Sequence, residues 1–137
     1  FEKETKRVSF RYRLYFTMLL LRDICQGFAQ GKAAMSAHDL SSRNHIPIRL
    51  TQKQLSQLCD LKILCEMPGP DPNSSLVYQP AMDINLISVN MVFEKMFKAG
   101  TEDFNMSPEE QSPLLWQTMI EMENNIKSNG DTLVKNL

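Results

Sequence analysis

The chain has 137 residues, 42% hydrophobic and 23% charged, with a net charge of −1. That is enough for one domain with its own core, and the composition excludes a disordered or collagen-like chain. Nothing in it approaches the ~18 consecutive apolar residues of a membrane span, because the longest apolar run, Leu14 to Leu21, is interrupted by Thr17 and bounded by Arg13 and Arg22. No signal peptide is visible, and a start at Phe1 rather than Met leads us to expect a piece of a longer protein.

The small net charge hides an asymmetry. Residues 1–62 hold eleven Lys or Arg against five Asp or Glu, and residues 63–137 hold four against eleven. The basic half opens with Lys3, Lys6, Arg7, Arg11 and Arg13. Such a cluster suits an anionic partner, nucleic acid or membrane surface, although a solvated helix face explains it as well.

In chain order, residues 1–9 read as a polar linker. A first helix follows over about 10–29, with Leu14, Met18, Leu21, Cys25 and Phe28 on one face, widened by Leu20 and Ile24. Met35-Ser36-Ala37-His38-Asp39-Leu40 carries the marks of a helix start, with Ser36 and Asp39 in a capping box and Met35 and Leu40 at staple positions. This second helix covers about 37–44. Pro47 separates it from a third, about 48–61, whose inward residues are Leu55, Leu58, Cys59 and Leu61.

Two strands then flank a turn-rich segment, Pro68 to Ser75, forming a wing over about 63–79. A further helix is expected over 84–99, and a last one over 108–128, started by Ser107-Pro108-Glu109-Glu110 with Ser112-Pro113 as a second possible start. Its stripe is Leu115, Met119, Met122 and Ile126, and Asn129-Gly130 ends it. Thr132 to Leu137 is an apolar tail that docks or extends. The expected fold is mainly α with a small β-hairpin: a winged helix-turn-helix over 10–137, flanked by a long N-terminal helix and two C-terminal helices.

Catalytic and metal chemistry find little purchase. His38 and His45 stand apart from any HExxH or CxxC, and Cys25, Cys59 and Cys65 read as small apolar residues, so no metal or cofactor is expected. No GxSxG or phosphate-cradling glycine loop appears; Glu102-Asp103 and Glu109-Glu110 would carry chemistry only if they lined a cleft, and helix capping explains the second pair, so the reading leans away from an enzyme.

Nucleic acid is the serious candidate. Outward residues of the second and third helices include Arg43, Arg49, Gln52, Lys53 and Ser56, the face that enters the major groove in a helix-turn-helix. Gln can read adenine, yet Gln52, Gln54, Gln57 and Asp60 also describe a solvated amide-rich helix. The wing tip carries no Lys or Arg and Glu66 sits on its first strand, which argues against a phosphate contact.

Two resemblances follow from these residues. The helix-turn-helix-wing ending in Tyr78-Gln79-Pro80-Ala81 resembles redox-responsive winged-helix repressors, which dimerise through long C-terminal helices. Their three clustered cysteines after the wing are missing here, and Lys62 replaces their turn glycine. The chain is also similar to the cytosolic C-terminal domain of the YihY/ribonuclease BN-like membrane protein family. Ile46 to Thr51, Leu58 to Leu64, Tyr78 to Asn85 and Thr132 to Leu137 carry that resemblance.

The second resemblance implies a non-catalytic interaction domain at the cytoplasmic face of a bacterial inner membrane. The membrane portion of the same chain would be its partner, and Lys3, Lys6, Arg7, Arg11 and Arg13 would lie at the lipid surface. A homodimer through the first and last helices is the further expectation. DNA binding is the alternative, and part of a ribonuclease is the weakest reading.

Overall fold

The computed structural model describes residues 7–71, 73–128 and 131–137. Lys3, Lys6, Pro72 and the expected helix stop at Asn129-Gly130 lie outside them. Helix α1 spans Phe10–Ala29, capped by Ser9, whose hydroxyl accepts from the Tyr12 amide at 3.1 Å. It ends in a Schellman turn: the Lys32 N–H donates to the Gly27 carbonyl and the Gly31 N–H to that of Phe28, with Gly31 at φ 67°. Leu20, Leu21, Ile24 and Cys25 are buried as their spacing demands, whereas Phe28 is exposed.

Strand β1, Met35–Ser36, has no signature in the sequence because two residues cannot show a period. It is made by pairing with β3, Val77–Pro80, Met35 opposite Tyr78. Ser36 closes β1 and also caps α2, Ala37–Asn44, in the expected reciprocal box with Asp39. His45 turns the chain at φ 55° into Pro47, and α3 runs Ile48–Asp60.

A second Schellman turn ends α3, with Lys62 at φ 64° and buried Ile63 donating to the Leu58 carbonyl. It delivers the chain into β2, Leu64–Met67, which pairs antiparallel with β3 (Cys65 opposite Gln79). The sheet order is β1-β3-β2, so the expected hairpin is the outer part of a three-stranded sheet.

The helix expected over 84–99 is divided. Asp83 caps a 3₁₀ turn, Ile84–Leu86; Ile87 is extended; and Ser88 caps α4, Val89–Phe97. The break lets Ile87 and Val89 bond to the chain end: Val134 N–H donates to the Ile87 carbonyl and Val89 N–H to that of Thr132. The tail therefore docks. Val134 is fully buried, and the Gln26 amide on α1 donates to the Lys135 carbonyl at 3.1 Å.

The last helix is also in two pieces, α5 (Pro108–Gln111) and α6 (Pro113–Ile126). Ser112 breaks it at φ −152°, ψ 84°, because a residue before proline is driven out of the helical region. The expected apolar stripe on this helix is not buried in its own chain. Leu115, Met119, Met122 and Ile126 are exposed, and the inward positions are held by Glu123, Trp116 and Ile120. Glu123 is paired there: Lys127 spans Glu123 and Glu94 at 3.4 and 3.5 Å, and Lys98 meets the same two carboxylates, tying α6 to α4.

Candidate nucleic-acid interface

Helix α3 owes its orientation to its buried side. Leu50, Leu55 and Leu58 enter the core with two polar residues, Thr51 and Gln54. Thr51 donates its hydroxyl to the Pro47 carbonyl at 3.1 Å. Gln54, expected among solvated amides, is instead buried and donates to Thr17 of α1 at 2.8 Å. The Thr17 hydroxyl inside the apolar face of α1 gives it that partner, and a buried polar pair of this kind holds only when both ends are satisfied.

With those residues inside, Arg49, Gln52, Lys53, Ser56 and Asp60 are exposed along one side of α3. Steps of three and four put them on one helical face. Arg13, grouped by sequence with the membrane-facing cluster, sits beside that face. It lines a groove of about 370 Å³ with Lys53, Ser56, Gln57 and Asp60. Its guanidinium also lies 5.5 Å from the centre of the Phe10 ring. Arg7 and Arg11 are exposed on the approach to and first turn of α1.

Arg43 has a structural partner. Its Nε lies 3.3 Å from Asp23, which is almost fully buried and also accepts from Asn44 at 2.8 Å and pairs with Arg22. Arg43 therefore helps fasten α2 to α1, though its side chain stays 60% exposed. Sequence reasoning missed Asp23; the available signal was an acid between Leu21 and Ile24 on a face that otherwise points inward.

The wing brings no cation to this surface. Glu66, Asp71 and the neighbouring tip residues are exposed. Its tip closes tightly: a Cβ on Gly69 would come within 2.6 Å of the Ser75 carbonyl oxygen. His38 and His45 are exposed, and among the described residues no group of three or more His, Cys, Asp or Glu could hold an ion. Burial pushes the Cys25 thiol up to about 11, and burial with the nearby acidic groups Glu66, Cys65 and Asp60 does the same for Cys59. Both are poor nucleophiles at neutral pH.

A helix-turn-helix followed by a two-stranded wing, with a small third strand leading in, defines a winged helix. No family model and no curated protein matches the chain. Among solved structures, Staphylococcus aureus CymR matches with a TM-score of 0.57 and 15% identity, over 90% of this chain and 93% of that one. T. potens IscR matches at 0.60 and 14%, over 94% and 84%. CymR, the global cysteine regulator of B. subtilis, matches at 0.58 and 11%, over 94% and 90%. At such identities the likeness shows the fold.

These neighbours overturn the resemblance to the YihY/ribonuclease BN-like family. They span nearly the whole chain, none is a membrane protein domain, and no family model supports one. Among the described residues no helix is long and apolar enough to cross a membrane. The misreading has a physical cause. Leu50, Leu58, Ile63, Leu64, Tyr78, Ile84 and Val134, which anchor the quoted segments, are all buried. A buried position takes an apolar side chain for the sake of the core it fills, so these residues report the fold and not the family.

Proposed function

We propose that the chain is a DNA-binding transcriptional regulator that works as a homodimer in the cytoplasm. The single observation that carries this is the division of α3: one side is locked into the core through Leu55, Leu58 and the Gln54–Thr17 bond, leaving Arg49, Gln52, Lys53 and Ser56 together on the other. The folds of CymR and IscR support the reading, since the B. subtilis neighbour is described as a global regulator. Charge supports it too, because the basic half of the chain contains the helix-turn-helix.

In this mechanism α3 enters the major groove. Gln52 and Arg49 face base edges, and Lys53, Ser56 and Arg13 position the helix on phosphates. Two copies place two such helices on half-sites about 34 Å apart. The exposed apolar stripe on α6 is the surface through which they pair, together with α1, where Tyr12 and Tyr15 are left uncovered. The acidic wing favours a second use of that element: with Glu66 and Asp71 exposed, it meets a protein surface and does not clamp phosphate.

The test is selection of duplexes from a random pool, followed by fluorescence anisotropy on the winning sequence across salt. Affinity falling several orders between low and moderate salt, with Lys53→Glu losing at least tenfold, is the expected outcome. An unenriched pool at low salt, or indifference to Lys53→Glu, would sink it.

A further inference from the structure

A cavity of about 260 Å³ opens where the end of α1 meets the sheet, and it shares no residue with the groove beside Lys53. Its walls come from three places: Gly27 and Phe28 on α1, Lys32 and Met35 on the segment entering β1, and Tyr78 and Pro80 on β3. At roughly 30 Å³ per water-sized group it holds about nine of them, which is small for a ligand site and suits a small ligand.

Three features suggest what the cavity takes. Its walls are mostly apolar, and Lys32 is the one charged side chain among the lining residues, which include no carboxylate. The Schellman turn consumes the carbonyls of Gly27 and Phe28 internally, so these acceptors at the helix end are already used. Gly27 lies inside a helix, where glycine is less favourable than alanine, yet a Cβ there would meet nothing within 4 Å. No neighbouring atom demands glycine at this position; its effect is to leave the space open.

The position matters as much as the chemistry. Met35 immediately precedes Ser36, the cap of α2, and pairs with Tyr78 on the wing strand β3. An occupant therefore touches α1, the entrance of the helix-turn-helix and the base of the wing together. We propose that this cavity is a regulatory site for a small apolar carboxylate, its head on Lys32 and its body against Phe28, Met35 and Tyr78. Its occupation shifts α2 and the wing relative to α1 and so changes DNA affinity; that second step rests on the DNA-binding reading above.

Hexanoate and phenylacetate serve as probes, with hexanol as the uncharged comparison, followed in ¹H–¹⁵N spectra of the whole chain. Saturable shifts at residues 27–35 and 78–80 are expected at millimolar carboxylate. Lys32→Gln should weaken the carboxylates to the level of hexanol. Gly27→Leu, which fills the space, should abolish binding of all three while the thermal midpoint holds or rises. Absent or scattered shifts, or binding that survives Gly27→Leu in the folded variant, overturn the site.

For the regulatory step, hexanoate should change affinity for the selected duplex at least threefold in the unmodified chain and not in Gly27→Leu. Unchanged affinity with hexanoate bound overturns the coupling. A chain that binds no duplex removes that step together with the DNA reading, and the spectra still decide the cavity.

Discussion

Three single residues carry conformational or ionic costs that can be read directly. Lys62 holds a left-handed backbone at φ 64° where a Schellman turn is best served by glycine. The strain in a non-glycine residue there is on the order of 1 kcal/mol. Lys62→Gly should therefore stabilise the fold by up to about 1 kcal/mol, less what glycine adds to the freedom of the unfolded chain; urea unfolding measures the difference, and a clear loss of stability would show that the Lys62 side chain itself is needed. The thiols give a pH dependence. Cys25 and Cys59 are pushed from an ordinary 9.0 to about 11. A thiol held protonated by the fold stabilises it fully below the unfolded pKa, and that contribution is lost as pH rises from about 9 through about 11. Urea midpoints should fall across this window, and Cys25→Ala with Cys59→Ala should flatten the fall.

At the scale of elements, polar residues inside the apolar layers set how the helices sit on one another. Gln54–Thr17 joins α3 to α1, and Asp23 joins α1 to α2 through Asn44 and Arg43. Asp23 is 3% exposed and satisfied on both oxygens, so Asp23→Ala should cost about 2 kcal/mol by stripping partners from Asn44 and Arg43. Arg43→Ala, at the exposed end of the same pair, should cost about 0.5 kcal/mol or less. Thermal or urea unfolding of the two variants separates them; equal losses would mean that the Arg43 pair, and not the buried carboxylate, carries the joint.

For the whole molecule, the telling feature is an apolar surface left exposed among the described residues. Leu114 is 81% exposed and Leu115 62%, and Phe104 and Met106 on the loop before α5 are exposed as well. Exposed apolar side chains gathered on one helix and its leading loop mark an interaction surface. A second copy is the partner that the proposed function requires, and a two-fold axis lets the same stripe face itself. The chain should sediment as a dimer. Met122→Glu on the stripe should convert it to a monomer with unchanged helical content, whereas Glu123→Gln one residue on, beneath α6, should leave the dimer intact. A monomeric unmodified chain would remove this interface.

The sequence by itself determined the local structure. Helical periods, the Ser36–Asp39 box, the turn-rich wing and the sites of Pro47, Pro108 and Pro113 act over a few residues, so their consequences are visible without a fold. The exposed face of α3 was legible for the same reason, in Arg49, Gln52, Lys53 and Ser56. What only the tertiary structure decided was which surface each element shows to which neighbour. Strand β1 exists because β3 lies beside it; Gln54 is buried because Thr17 comes within 2.8 Å across 37 residues. Arg13 lines the groove beside α3, and the stripe on α6 is exposed, neither of which a sequence period can show. An apolar period says that a face seeks cover, but whether the cover comes from the same chain or another copy depends on contacts distant in sequence.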